Sequence, residues 1–484
     1  MKVTFELKSI MNIYKTRKYV LALALLLTGG IAKAQVTVHG NVYGGGNIGE
    51  VVKTTDGMGN TSVIVNGGTI GDTLRLKHRV ADKQMQVTTR VDYGNVYGGG
   101  NGYKIIGHNA NNNAPIFDIN AGRVQGNTSV YVGGDAVVRR AVYGGGNMAS
   151  VGIYTANNGV ATYTSGGHTV VTVTGNALIG PKKTDLTSPT PAELDSVKEF
   201  YNMTSLMSLS QYADSAFKYL GANEGWVFGS SRGISGGLLR DHSFVDTTEV
   251  TISGNAQVLN VFGSGENGHV QKGTNVIVKD NALIGGVPLH GDGSYTVPAS
   301  GIDDNPGEYL DATYTLAEKD SETAEDEFGV GREIPRGNVL GGGKGTDFIS
   351  WFANPKFCYT SGRVYGNTHV TVQDNALIYN RVYGGGLISM VGTFNEEESQ
   401  DPDNHTVIGI ESGGHTYVNI NGGFIGSPGS NGHNNGEVYG GSRGLPGRPR
   451  KMVSGVLEPL TPMHQVVMRP TWVTPMSQWM AARS

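Results

Sequence analysis

Apolar and polar residues alternate along this chain in short bursts, and one burst occurs seven times. It runs Thr-x-Val-x-Val or Ile, then a polar turn, then a short apolar step. The copies are TSVIVNGGTIG (61–71), TSVYVGGDAVV (128–138), TVVTVTGNALIG (169–180), TEVTISGNAQV (248–258), TNVIVKDNALIG (274–285), THVTVQDNALIY (368–379) and TYVNINGGFIG (416–426). Strict alternation predicts a half-buried strand. In the second copy Val130 and Val132 then point inward, while Ser129 and Tyr131 point out. Gly-Asn, Gly-Gly and Asp-Asn turn the chain, because these residues tolerate positive φ. A second short strand follows, as in Asn-Ala-Leu-Ile.

A second phrase ends a third strand. It reads NVYGGGN at 41–47 and 95–101 and VYGGGN at 142–147. Looser copies are VFGSGEN (261–267), VLGGGKG (339–345), VYGGGLI (382–388) and VYGGSRG (438–444). Thr128 to Val142 and Thr368 to Val382 are steps of equal length, and the short step from Thr248 to Thr274 contains one VFGSG. A unit of strand, turn, strand, corner, strand and corner in about two dozen residues suits one coil of a solenoid. The other Thr-to-Thr intervals are longer, the longest running from Thr274 to Thr368, and require extra coils or insertions. Glycine suits the corners because stacked backbones approach closely there. Asn47, Asn101 and Asn147 are placed to form a side-chain ladder up the stack. The predicted fold class is all-β: a parallel β-helix, right-handed by the rule for parallel crossovers, with a small α-helical insertion. An antiparallel sandwich, a string of small β domains and a propeller compete. Irregular spacing and very short strands favour the solenoid.

The helical insertion is read at 185–225. Within it Thr190 caps, Pro191 takes the first helical position, and Glu193 sits in the first turn. Leu194, Val197 and Tyr201 share one face, and Leu209, Tyr212, Ala216, Phe217 and Leu220 form a second stripe, which suggests a helical hairpin covering the solenoid. Acidic runs at 317–328 and 395–404 are read as solvated loops, within loops bounded at 303–335 and 395–411. The domain plan is a signal peptide (1–34), a repeat domain (35–444) and a non-repeat tail (445–484).

The signal peptide rests on a basic stretch (Lys15, Arg17, Lys18), an apolar run from Tyr19 to Leu27, and Ala-Lys-Ala before Gln35. Met11 as the start would give it an ordinary length. The apolar run is too short to span a bilayer, and no later segment is apolar enough, so no transmembrane span is expected. Export follows, to the cell surface, the outer membrane or the medium.

Composition narrows the chemistry. Glycine makes up 75 of 484 residues, about twice the usual share, and charged residues are 16% against the usual roughly 25%. This is the composition of strands and tight turns. A net charge of -4 leaves no footprint for nucleic acid. Cys358 is the single cysteine, so no internal disulfide forms, and a buried apolar role is expected of it. GGGKGT (341–346) imitates a phosphate loop but lacks its spacing and its following helix. SGGHT occurs at 165–169 and 412–416, and His168 and His415 are read as stack elements at a strand entrance. Asp135, Asp280 and Asp374 lie near equivalent turns and are read as structural. No catalytic, cofactor-binding or metal-binding residue is assigned, no cofactor is expected, and no oligomer signal is visible.

The last forty residues lose glycine and gain Met, Pro and Trp. Their codons, read from the third base, can spell Gly-Asn-Thr-Asn-Val-Thr-Val-Asp-Gly-Gly across residues 472–482. The triplets spanning Trp472–Val473, Trp479–Met480 and Met480–Ala481 force Gly, Asp and Gly. That is the repeat phrase of 59–68 and 126–135, so a frame shift near 465–469 is expected.

The signal peptide and the repeated VYGGGN and GNTxVxV phrases resemble those of secreted, Gly-rich β-helix surface proteins of Gram-negative cells. The architecture is similar to the passenger regions of autotransporter-type adhesins. The resemblance covers about 35–444 and implies a structural or adhesive surface protein, with glycans or a host or cell-surface protein as partner. Families of this kind often end in an anchoring module, and none is visible here. Tyr43, Tyr97, Tyr143, Tyr383 and Tyr439 recur at one repeat position, each followed by a corner glycine: Gly44, Gly98, Gly144, Gly384 and Gly440. Facing out, the tyrosines would form a ladder for sugar rings or an apolar partner surface. Facing in, they would form a core stack, which the adjoining corner favours. Two alternatives stand beside the adhesin: a polysaccharide lyase or glycoside hydrolase with clustered carboxylates, and a truncated gene product without a role.

Overall fold

A computed structural model describes residues 36–55, 57, 59–71, 75–81, 84–90, 93–108, 110, 115–157, 160–180, 225–233, 242–285, 287–288, 295–296, 337–345, 361–387, 389–397, 406–426, 436–443, 452–453 and 456–457. Among these residues every regular element is a strand. The expected helical insertion, the acidic run at 317–328 and Cys358 lie outside them.

Three long parallel sheets are stacked along the chain. The first has eight two-residue strands, from Thr37–Val38 to Phe424–Ile425. The second also has eight, from Val42–Tyr43 to Val438–Tyr439, and the third has seven, from Thr61–Val65 to Thr416–Ile420. The chain visits first, second and third sheet in that order in seven coils, and an eighth adds a first-sheet and a second-sheet strand, an arrangement consistent with a β-solenoid.

The register answers the question of the long intervals. Thr61 pairs with Thr128, and the same column continues through Thr169, Thr248, Thr274, Thr368 and Thr416. Each interval is therefore one coil, the short step from Thr248 to Thr274 and the long one from Thr274 to Thr368 alike. The extra length is all insertion. Some insertions leave between the first and second sheets, as does the hairpin Arg75–Ala81 with Gln84–Arg90. Others leave between the second and third, as do Ile105–His108 with Pro115–Phe117 and Ile153–Asn157 with Val160–Ser165. Of the stretch read as a loop at 395–411, residues 395–397 and 406–411 are strand, in a third such hairpin, Thr393–Glu397 with Thr406–Ser412. Alternation was too weak there to signal it. The two SGGHT phrases are hairpin returns. Gly166, Gly167, Gly413 and Gly414 take positive φ and deliver His168 and His415 to the third sheet.

No insertion leaves between the third and first sheets. That turn is residues 133–136, 174–177, 253–256, 279–282 and 373–376 in five coils, and residues 66–68 and 421–423 in the other two. Its constancy has a chemical basis. The Asn176 amide donates to Asp135, Asn255 to Asn176, Asn281 to Asn255 and Asn375 to Asn281, at 3.0–3.3 Å. One residue earlier, Gly134, Gly175 and Gly254 share a left-handed backbone with Asp280 and Asp374, at φ of 59–69°. Asp and Asn are the non-glycine residues that best tolerate that region. The three aspartates therefore occupy two neighbouring columns, both structural.

The interior is lined by small and β-branched side chains. In coil two it receives Val130 and Val132 from the third sheet, and in coil three Ala136, Val138 and Val142 from the next turn and strands; equivalent residues recur along the stack, nearly all fully buried. This confirms the predicted alternation, and the thread of Asn-Ala in the sequence is explained by alanine turning inward at the turn.

Close approach fixes the corners. A Cβ added to Gly144 would collide with the Gly229 carbonyl oxygen of the next coil and crowd Val171. Gly44, Gly98, Gly229, Gly263, Gly341 and Gly384 meet the same obstacle, and none of them takes positive φ, so space rather than backbone freedom selects glycine. The carbonyl these glycines offer is used. Thr61 donates its hydroxyl to the Gly98 oxygen, and Thr128, Thr169, Thr248, Thr274 and Thr368 do the same to Gly144, Gly229, Gly263, Gly341 and Gly384, at 2.5–2.6 Å. Thr416 repeats the contact to Gly440. Each bond joins one coil to the next.

Gly144→Ala is expected to lower the denaturant midpoint by the equivalent of about 1–3 kcal/mol, the usual range for overpacking. Gly40→Ala, with nothing near its added Cβ, is expected to stay within about 0.5 kcal/mol. Equal midpoints for the two variants would refute the corner argument.

Candidate functional site

The second sheet carries the candidate tyrosines. Its two- and three-residue strands place Val96, Val142, Val227, Val261, Val339 and Val382 in the interior cluster. The next residue on each strand points to the opposite face. There Tyr43, Tyr97, Tyr143, Phe228, Phe262, Leu340, Tyr383 and Tyr439 form one column in register. Rings from Tyr43 to Phe262 stack at 4.8–4.9 Å with planes within 15°. Leu340 interrupts the column, and Tyr383 stacks on Tyr439 at 5.1 Å beyond it.

The tyrosines are thus outside the valine interior yet mostly buried. Tyr97 and Tyr143 are each 1% exposed, while Tyr439 at the last coil is 42% exposed. The residue four positions on, past the corner, supplies polar contacts beside the rings. In the first three coils that residue is Asn47, Asn101 and Asn147, with Asn101 donating to Asn47 and Asn147 to Asn101 at 2.9 and 3.0 Å. This is the ladder expected from the sequence. Arg232 pairs next to Asn147 in the same column, and Glu266 and Lys344 hold the equivalent places in later coils.

These charged residues form a network around the buried Glu266. The Glu266 carboxylate accepts from Arg232 Nε and Lys344 Nζ, each at 3.3 Å, and from the Tyr143 hydroxyl at 3.0 Å. Lys344 Nζ also lies 5.8 Å from the centre of the Trp226 ring. The glycine phrase around Lys344 is therefore a coil corner, as the sequence reading of GGGKGT expected, and its lysine pairs with Glu266, which that reading did not foresee. Glu266 holds the Arg232 guanidinium firmly protonated. Burial pushes the Tyr97 and Tyr143 hydroxyls well up, and for Tyr143 the Glu266 charge adds to that. Tyr439, beside Glu437, is pushed up to about 12, first by burial and then by its hydrogen bond to that carboxylate.

The two histidines stay apart. His168 Nδ1 meets the Thr247 hydroxyl at 2.8 Å in coil three. His415 lies in coil seven near Tyr417, which stacks on His369 at 4.6 Å. Among the described residues no group of three or more His, Cys, Asp or Glu could hold a metal ion. Sequence reasoning missed the copy Trp226–Phe228, where Gly-Ser-Ser replaces three glycines. Its place between the phrases at 169–180 and 248–258, an interval otherwise without a glycine corner, is the signal that could have found it. Compared with known protein families, curated proteins and solved structures, the chain matches none.

Glu266→Gln is expected to cost about 2–3 kcal/mol in unfolding free energy, toward the low side for breaking a buried ion pair because Arg232 keeps 38% of its side chain in solvent. Chemical unfolding checks it. Alkaline stability is a second expectation. The folded state keeps protons on Tyr97 and Tyr143 that the unfolded chain releases near pH 10, so their contribution is complete below that pH and falls as pH rises above it. Each such tyrosine should steepen the loss by up to about 1.4 kcal/mol per pH unit. Tyr97→Phe should make the decline shallower in a pH series of melts, and an unchanged slope would count against it.

Proposed function

We propose that the chain is a secreted or cell-surface structural protein of the adhesin-like kind, built as a right-handed parallel β-solenoid. In this reading it presents its insertions to glycans or to a surface protein and catalyses nothing. The reading rests on one observation. The side chains with chemical potential at the repeat columns, including Glu266, Arg232 and Lys344, are engaged in holding coils together. Variable length is confined to corners on either side of the second sheet. A scaffold with constant columns and variable projections suits display. Among the described residues no helix is long and apolar enough to cross a membrane.

The test is binding without turnover. The full chain is applied to arrays of polysaccharides and matrix proteins, and each retained ligand is recovered and its chain length measured. Retention with unchanged length is the expected result. Shortened sugar chains that appear with native protein and not with heat-treated protein would replace this reading with a lyase or hydrolase. In the source cell, antibody against the chain should label intact cells or the medium; label seen only after lysis would remove the surface role.

A further inference from the structure

The turn between the third and first sheets is built in two ways. In the longer form alanine follows the seam asparagine, at Asn176, Asn255, Asn281 and Asn375. The N–H of that alanine is tied down. Ala177 donates to the Thr174 carbonyl, Ala256 to Ser253, Ala282 to Lys279 and Ala376 to Gln373, at 3.2–3.4 Å. The asparagine side chains are held as well, by the ladder along the seam. Coils one and seven use the shorter form, Asn66-Gly67-Gly68 and Asn421-Gly422-Gly423, so glycine follows asparagine. Both asparagines are exposed. Neither side-chain amide bonds to a described residue, and neither does the N–H of Gly67 or Gly422.

A free backbone nitrogen beside a side-chain amide can attack it. The Gly67 nitrogen gives up its proton to solvent and bonds to Asn66 Cγ. The bond from Cγ to Nδ2 breaks, and the amide leaves as ammonia, taking a proton from water. A cyclic imide remains, and one water molecule opens it. Cleavage at the side-chain carbonyl gives aspartate; cleavage at the backbone carbonyl of residue 66 gives isoaspartate. Glycine favours closure, because it has no Cβ to crowd the nitrogen and its backbone turns freely. A nitrogen already hydrogen-bonded must first lose that bond, which slows attack by up to about tenfold. Two other described asparagines precede glycine, and both are guarded. Gly102 N–H donates to the Asn147 carbonyl at 2.8 Å, and the Asn101 amide bonds to Asn47 and Asn147. Asn267 is 9% exposed, and its side-chain oxygen accepts from Ser361 Oγ at 2.7 Å.

We infer that Asn66 and Asn421 are sites of spontaneous deamidation, converting to aspartate and isoaspartate through the imide, while the fold preserves Asn101, Asn267 and the asparagines of the seam. This stands independently of the proposed function. Each event adds one negative charge at a surface turn. Isoaspartate also lengthens the backbone there, in the turn that admits no insertion. A single chain thus ages into several charge forms, with the change confined to the turns of coils one and seven.

The test follows the full chain as it stands in mildly alkaline buffer, once folded and once in denaturant. Samples are digested at acidic pH and mapped by mass spectrometry, with fragmentation that separates isoaspartate from aspartate. In the folded chain Asn66 and Asn421 are expected to convert about tenfold or more faster than Asn101, Asn176 and Asn267. Isoaspartate should appear among the products. In denaturant the rates at Asn66, Asn101, Asn267 and Asn421 should converge, since glycine follows each. Equal rates at Asn66 and Asn101 in the folded chain would overturn the inference. A difference that persists in denaturant would overturn it too, because the fold would then not be its cause. Aspartate without isoaspartate would rule out the imide route.

Discussion

The stack depends on how closely one coil's backbone can lie on the next at the glycine corner. At Gly98, Gly144 and their equivalents there is no room for a β-carbon, because a carbonyl oxygen of the following coil occupies the space. That proximity brings each carbonyl within reach of a buried threonine hydroxyl. A buried carbonyl facing only valines would carry a desolvation cost, and a buried hydroxyl likewise. The pairing removes both at once. Glycine and threonine are therefore two halves of one device, and neither explains itself alone.

From that contact the other columns follow. Once coils are held in register at the corner, identical residues meet along the axis. Asn meets Asn in the turn, and tyrosine meets tyrosine or phenylalanine on the outside of the second sheet. Stacked amides and rings add to stability because their neighbours repeat, as in cross-β assemblies. Where the column changes character, the change is coordinated. Asn147 gives way to Arg232, then Glu266, then Lys344, so that two cations enclose one carboxylate.

Much of this was legible in the sequence. Alternation in TSVYV fixed which side of the third sheet faces inward, and burial at Thr128, Val130 and Val132 agrees. The Asn47–Asn147 ladder was legible for the same reason, since identical residues recur at a fixed place. The orientation of the tyrosines was not, because a two-residue strand contains no alternation to read. The pairing of Lys344 with Glu266 was hidden by their distance along the chain, which only the coil register removes. The hydroxyl bond of Thr128 was hidden because it joins the start of one phrase to the corner of the next coil's.

The turn between the third and first sheets has one more consequence. Every coil advances by a single strand spacing, about 4.8 Å. That holds for the short coil that carries the chain from Asn255 to Asn281 and for the long one from Asn281 to Asn375. Mass per unit of axial distance can thus vary severalfold while the asparagine seam keeps an even pitch. Such a molecule works like a ruler with removable fittings: its reach is counted in Thr-x-Val-x-Val phrases, and the number of amino acids says little about it.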